Sequence, residues 1–173
     1  MKVLVANGLF QQKQQLPLII SSLKRNKIYP SCILTIDKFQ EKNPFLSDSD
    51  FKEIVQKKIC QNIIRVNLNS SEEVKMNMGP LKLIKQGKNS ILGRRRLKQQ
   101  LKNNNKPYML LVQENSFQIQ EQIGASYLLS PTEKDTIIND EKSTIFKSSW
   151  IGQGSYMILN IKDTIRSCDI VKI

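Results

Sequence analysis

The chain has 173 residues, 39% of them apolar and 24% charged, which suits one globular domain with its own core. Twenty-seven Lys and Arg against fifteen Asp and Glu give a formal net charge of +12, which favours nucleic acid, an anionic membrane or an acidic protein assembly as partner. The chain has no histidine, which excludes Ser-His and Cys-His triads and, with three isolated cysteines, argues strongly against a zinc site.

Nothing in the sequence indicates a secreted or membrane protein. No apolar run reaches the ~20 residues of a membrane span. The first strand breaks at Asn7-Gly8, which is unlike a signal peptide. Cys32, Cys60 and Cys168 are odd in number and show no paired spacing, which indicates a reducing compartment. We therefore expect a cytoplasmic protein with no membrane partner.

The chain begins with a predicted strand–helix–strand unit. Residues 2–6 form a short apolar strand, residues 11–27 a helix that Pro17 interrupts, and residues 32–36 a second strand. A polar segment and a short helix at 50–59 follow, and together they indicate an insertion at 43–59. Alternation of apolar and polar residues predicts a third strand at 61–69.

The next stretch carries the most distinctive charge of the chain. Between residues 74 and 113 there is no acid, and the pattern indicates a loop, a helix and a buried strand. The ten cations of this stretch, which we call the basic face (residues 75–106), are Lys75, Lys82, Lys85, Lys88, Arg94, Arg95, Arg96, Lys98, Lys102 and Lys106. In the predicted helix, Leu97 and Leu101 share the inward face, so Arg95 and Lys98 point away from it.

Further strands are predicted at 108–112, 116–120, 124–129, 144–147 and 156–161. The first is continuously apolar and so should be buried on both faces. Ser130-Pro131 should end the strand at 124–129, and a turn at 152–154 should precede the last one. The pattern predicts a single α/β domain over residues 1–173, with a mixed β-sheet and flanking helices.

Two strand ends could carry chemistry. Asn7-Gly8 precedes a helix, where backbone N–H groups attract a phosphate and Lys13 could add a charge. Glu114 follows the buried strand at 108–112, where a carboxylate could hold Mg²⁺. An ordinary turn and an exposed hairpin carboxylate explain the same residues, so both interpretations stay open.

Taken together, these pieces resemble the non-canonical purine NTP phosphatases, which act on inosine and xanthosine triphosphates. Residues 91–96 (ILGRRR) resemble their GARxR helix, and the strand ending at Glu114 resembles their acidic strand end. Residues 112–115 and 123–129 are closer to the degenerate domain of the proline-rich, coiled-coil-containing protein. The resemblance implies nucleotide binding by Asn7, Lys13 and Arg95, and Mg²⁺ on Glu114.

The sequence departs from that family where catalysis is concerned. The loop lacks the family's Thr and Pro, Lys13 comes three residues late, and Asn115-Ser116 stands where glycines should follow Glu114. Metal-assisted phosphoryl transfer needs several carboxylates. We therefore expect a pseudoenzyme with no catalytic residue and no cofactor.

The expected function is that of a structural or binding subunit on an acidic protein surface in a large cytosolic assembly such as the cytoskeleton. The docking residues are Arg94, Arg95, Arg96, Lys98 and Lys102. One alternative is a Mg²⁺-dependent inosine/xanthosine triphosphate pyrophosphatase, and another is an RNA-backbone-binding subunit of a ribonucleoprotein. The sequence also leaves a homodimer open.

Overall fold

The structure, a computed structural model, describes residues 1–37, 48–68, 70, 73–85, 95, 98–99, 107–112, 125–139 and 143–173. It is an α/β fold with two mixed sheets and few helices. The described strands are, in chain order, β1 (Lys2–Val5), β2 (Cys32–Asp37), β3 (Ile63–Asn67), β4 (Val74–Met78), β5 (Leu81–Lys85), β6 (Tyr108–Leu111), β7 (Tyr127–Thr132), β8 (Thr136–Asn139), β9 (Thr144–Ser149), β10 (Ser155–Ile161) and β11 (Ile165–Lys172).

The first sheet has the order β11-β10-β1-β2-β3, and the second has the order β4-β5-β6-β7-β9-β8. In the first, β1, β2 and β3 are parallel. In the second, β5, β6, β7 and β9 are parallel. Antiparallel strands complete both sheets at their sides.

The two sheets pack face to face around the main hydrophobic core. Val3, Val5 and Leu34 of the first sheet meet Leu83 and Leu111 of the second in this core, and all five are at most 3% exposed. Successive side chains of a strand point to opposite faces, so Leu4 and Ile33 lie on the outer face of the first sheet. Apolar residues at positions 3–5 of β1 and throughout β6 follow from burial on both faces.

Two helices cover the outer face of the first sheet. Helix α1 (Leu16–Arg25) buries Ile19 and Leu23, and Pro17 lies in its first turn, where a missing N–H costs nothing. Helix α2 (Asp48–Lys58) buries Phe51 and Val55. A short 3-10 turn, Lys13–Gln15, leads into α1.

Each helix is the crossover between two parallel strands, so both run antiparallel to those strands. Helix α2 occupies most of the segment predicted as an insertion at 43–59, and it supplies the connection that the parallel pair β2–β3 needs. Within the described residues, no helix is long and apolar enough to cross a lipid bilayer.

Several predicted elements were wrong in extent or kind. The start of the basic face is not a loop but the hairpin β4–β5, in which Gly79 adopts φ of +61° in a two-residue turn. The predicted single sheet is two sheets, and residues Ile165–Lys172, for which no strand was predicted, form the edge strand β11. The predicted strand at 116–120 lies outside the described residues.

Strand β7 continues through Ser130-Pro131 instead of ending there. The N–H of Val112 in the neighbouring chain segment donates to the carbonyl of Leu129. Backbone groups two residues apart in a strand point to the same side, so those of Pro131 also face β6 but lie beyond its last paired residue. No described residue lies opposite position 131 on that side to accept a ladder hydrogen bond, so Pro131 fits within the strand.

Candidate functional site

The parallel strands of both sheets end at one common edge of the molecule. A parallel bridge joins Asn7, just after β1, to Trp150, just after β9, so the two sheets meet there. Ligands of α/β proteins bind at the carboxyl ends of parallel strands. We call this place the carboxyl edge and take it as the candidate site.

Asn7 is fully buried and pins the two sheets together. Its Nδ2 donates to the carbonyl oxygens of Ser148 at 2.9 Å and Ser149 at 3.3 Å, and its Oδ1 has no partner among the described residues. The N–H of Gly8 donates to the carbonyl of Ile36 at 2.9 Å. These donors serve the protein's own structure, so no contact supports the phosphate-loop interpretation of Asn7, which stays a prediction.

Four charged side chains form an ion network beside β1, the strand that precedes Asn7. Asp37 is the last residue of β2, Arg65 lies in β3, and Asp48 is the first residue of α2. Arg65 pairs with Asp37 and, at 2.5 Å, with Asp48. Lys13 pairs with Asp48 at 2.8 Å. We call Lys13, Asp37, Asp48 and Arg65 the ion network; it ties the loop after β1 to β2, β3 and α2.

Two aromatic rings lie against the cations of the network. Phe10 and Phe51 pack edge to face with centroids 5.1 Å apart. The guanidinium of Arg65 lies 4.4 Å from the Phe10 centroid, and the ammonium of Lys13 lies 5.5 Å from the Phe51 centroid. Each ring attracts the cation electrostatically and excludes water from one side of it. The network is therefore partly desolvated and held in one arrangement.

The pKa values of the two carboxyl groups differ in direction. Burial raises the pKa of Asp37, whose side chain is 2% exposed, and the hydrogen bond and charge of Arg65 offset this only in part. Burial acts in the same direction on Asp48, but hydrogen bonds from Lys13 and Arg65 outweigh it and hold the pKa of that carboxyl below its ordinary value. Asp37 thus depends on Arg65 to stay ionised inside the fold.

A further cation lies at the end of β5. Lys85 is 2% exposed, and its Nζ donates to the carbonyl of Ser70 at 2.6 Å. With Lys13 and Arg65, it brings three cationic side chains to the ends of the parallel strands. Within the described residues, no three Asp, Glu, Cys or His side chains are grouped so that they could hold a metal ion.

The predicted site residues are placed as follows. Lys13 belongs to the ion network, and Arg95 and Lys98 are helical and exposed. The remaining predicted residues lie outside the described part of the chain, and they are Arg94, Arg96, Lys102 and Glu114. None of these assignments is tested by the structure, and they stay predictions.

Sequence reasoning missed the two carboxylates and the arginine of the network. Asp37, Asp48 and Arg65 are too far apart in the chain to form a motif. The available signal was Asp37 itself, a carboxylate that directly follows the apolar strand predicted at 32–36.

No protein-family model matches the chain, and no curated protein matches it. Solved structures share its fold at low sequence identity. TT1561 of Thermus thermophilus has a TM-score of 0.63 and 10% identity, with 99% of this chain and 98% of that chain covered. Chaetomium thermophilum Vps29 has a TM-score of 0.51 and 11% identity, with 99% and 96% covered. Thermotoga maritima protein TM1076 has a TM-score of 0.52 and 10% identity, with 99% of each covered.

The structural neighbours TT1561 and Vps29 have phosphoesterase-like folds. The predicted resemblance to the non-canonical NTP phosphatases, and to the degenerate domain of the proline-rich, coiled-coil-containing protein, is therefore wrong. It depended on the order of strands and helices and on short matches such as residues 91–96. Element order is shared by many α/β folds and does not distinguish one sheet from two facing sheets.

Proposed function

We propose that this protein is a non-enzymatic binding subunit that uses a metallophosphoesterase-like fold as a scaffold. The observation that carries the proposal is the ion network at the carboxyl edge, where the chain's own cations engage the carboxylates. The basic face then binds the acidic partner. The proposed partner is an acidic protein surface in a large cytosolic assembly, such as the cytoskeleton.

A fold of this type implies divalent metal ions at the carboxyl edge, and the residues that the structure describes there do not fit them. Such sites need carboxylates or imidazoles that are free to coordinate the cation and a water. The chain has no histidine. Asp37 and Asp48 are paired with Arg65 and Lys13, and the buried ammonium of Lys85 adds a third positive charge to this edge. Asp37 Oδ1 has no hydrogen-bond partner among the described residues, but a divalent cation bound there would lie beside the guanidinium of Arg65 and against this charge.

The network also shows what the carboxylates do in this chain. Asp48 joins the start of α2 to Lys13 and Arg65, so the carboxylates fasten a helix and a loop to the sheet. Asp48 gives one carboxylate oxygen to Lys13 and the other to Arg65, so it is not available as general acid, base or ligand without breaking an ion pair. This favours a structural use of the edge over a catalytic one.

Part of the described basic face supports docking, whereas Lys85 is buried and Lys75 pairs with Glu73 at 2.7 Å. Arg95 and Lys98 are helical and exposed, as a surface that contacts a partner requires. An excess of positive charge steers association with an acidic surface and makes it depend on salt. RNA would meet the same requirement through its phosphates, so its involvement is one outcome of the test below.

The test is co-purification of the tagged protein from its own cells. We expect Arg95→Glu with Lys98→Glu to release the partner, and wild-type binding to weaken between ~50 and ~200 mM salt. The matched control is Lys134→Glu with Arg166→Glu, which makes the same change of charge at exposed positions elsewhere. Circular dichroism verifies that both variants fold.

Retention of the partner by the basic-face variant would refute docking through that face. Equal loss from both variants would show a general effect of net charge instead of a defined surface. Loss of the partner on ribonuclease treatment would show that RNA, and not an acidic protein, is bound.

A further inference from the structure

The crossover helices separate charge along the axis of the first sheet. Both helices end at the amino-terminal end of the parallel strands, and their last turns carry Lys24 and Arg25 in α1 and Lys57 and Lys58 in α2. Helix α2 begins at the opposite end with acids in its first turn. Cations near helix C-termini are favourable, but here two helices bring them to the same end of the sheet.

Three more cations lie at this end. Lys27 follows α1 in the left-handed conformation, with φ of +52°. Lys2 begins β1, and its carbonyl accepts from the N–H of Ser31 at 2.8 Å, which holds the loop after α1 against the strand. Lys162 follows β10, adjacent to the N-terminus.

We call these cations, with Tyr29, the amino-end surface; its residues are Lys2, Lys24, Arg25, Lys27, Tyr29, Lys57, Lys58 and Lys162. All of them are exposed. Of these surface residues, only Lys57 forms an ion pair with another described residue, Glu53, at 2.6 Å. The two acids on the β10–β11 side do not pair with these cations, since Asp163 lies 3.9 Å from Arg166 and Asp169 accepts from Asn160. The positive charge of the surface is thus largely uncompensated.

Tyr29 projects from this surface on an anchored loop. Its side chain is 77% exposed, whereas Pro30 is buried and Ile28 packs against the core under the helices. The loop is therefore anchored on both sides of Tyr29, while the Tyr29 ring itself contacts little of the rest of the chain. Rigidly presented aromatic residues are frequent anchors of protein recognition.

We propose that the amino-end surface binds an acidic linear segment of a partner protein, with one apolar side chain of that segment packed on Tyr29. Charge complementarity selects the acidic segment, and the single aromatic residue selects a peptide over single-stranded nucleic acid, which needs a series of stacking platforms. This surface shares no residue with the basic face, so the proposal is independent of docking through residues 75–106.

Fluorescence anisotropy with the full chain tests the proposal. The probe is a fluorescein-labelled peptide of about ten glutamates around one phenylalanine, and an oligouridylate of similar charge is the second probe. We expect Lys24→Glu with Lys27→Glu to weaken peptide binding roughly tenfold or more, and Tyr29→Ala to weaken it roughly fivefold. Lys134→Glu with Lys172→Glu, an equal change of charge at exposed positions of the carboxyl edge, should leave it within about twofold.

Lys2→Glu with Lys162→Glu provides a second reversal at the same surface in case the first variant fails to fold. Equal weakening by the carboxyl-edge control and by the reversals at the amino-end surface would overturn the proposal, because general electrostatics would then explain the binding. Tighter binding of oligouridylate than of peptide, no binding of either probe, or no effect of Tyr29→Ala would also overturn it. A failure here leaves docking through the basic face untouched, since that depends on the co-purification result.

Discussion

Replacing Arg65 with methionine should destabilise the protein by removing the cation on which Asp37 depends. Methionine keeps an apolar stem near Phe10 but leaves Asp37, 2% exposed, without its ion pair. Stranding a buried charge costs ~3–5 kcal/mol. Arg65 is itself 33% exposed, so water can reach part of the vacated space. We therefore expect a loss of about 2–3 kcal/mol at pH 7, or a fall in Tm of roughly 4–12 °C for a chain of this size.

The loss should shrink as the pH falls. Burial raises the pKa of Asp37 above its ordinary 3.8, and removing Arg65 raises it further. A protonated Asp37 needs no cation, so the difference between wild type and variant is largest above the folded-state pKa. This difference in stability disappears as the pH falls towards the pKa of Asp37 in the unfolded chain. Asp48 acts in the same direction, because its lowered pKa means that its stabilisation of the wild type is lost in acid. Denaturant unfolding at pH 7 and at about pH 4.5 measures this difference.

Two controls complete the experiment. Arg166→Met removes an exposed cation 3.9 Å from Asp163 and should change stability by less than about 0.5 kcal/mol. Asp37→Asn in the Arg65→Met background removes the stranded charge and should recover part of the loss. An Arg65→Met variant as stable as wild type at pH 7, or a loss that does not change with pH, would refute the reasoning.

Three further predictions concern other parts of the fold. Asn7→Asp would turn a carboxylate towards two carbonyl oxygens of β9, costing ~3–5 kcal/mol at pH 7; the buried group's raised pKa should make unfolding curves converge on wild type in acid. Gly154→Ala should cost ~1–2 kcal/mol, because left-handed backbone strain is its only effect. Gly8→Ala should cost about 1–3 kcal/mol more, because its Cβ would also lie 3.1 Å from the Trp150 ring. Equal melting temperatures of the two variants would contradict this difference. Burial raises the pKa of Cys168 to about 12, so little of the reactive thiolate is present at pH 8. Alkylation of Cys168 in the folded protein should therefore be at least roughly a hundredfold slower than in the urea-unfolded protein.

The strands with a run of apolar residues were predictable from the sequence. Strands β1, β2, β6 and β10 each contain at least three consecutive buried apolar residues, and such a run gives a strong signal. The hairpin β4–β5 was not predicted because its Lys residues were interpreted as part of a charged loop. Its buried residues Leu81 and Leu83 lie on either side of Lys82 in an alternating strand pattern. Edge strand β11 was missed because most of its residues are exposed and its apolar signal is weak.

The candidate site was largely beyond the reach of local patterns. The phosphate-loop interpretation selected Asn7 and Lys13 from a strand–turn–helix sequence, yet their actual partners are Ser148 and Asp48, far away in the chain. Ion pairs between distant residues depend on sheet order and on the crossover helix, neither of which a motif encodes. The same limitation led to the wrong family resemblance, because strand order in two facing sheets is not visible in element order.

The most direct test of a metal-free carboxyl edge is calorimetric titration of Mn²⁺ into the wild-type protein. Because Arg65 and Lys13 neutralise Asp37 and Asp48, we expect no saturable heat up to about millimolar Mn²⁺. Saturable binding with a Kd in the micromolar range, abolished by Asp37→Asn, would contradict this expectation. It would show that the edge holds a metal ion as a phosphoesterase does.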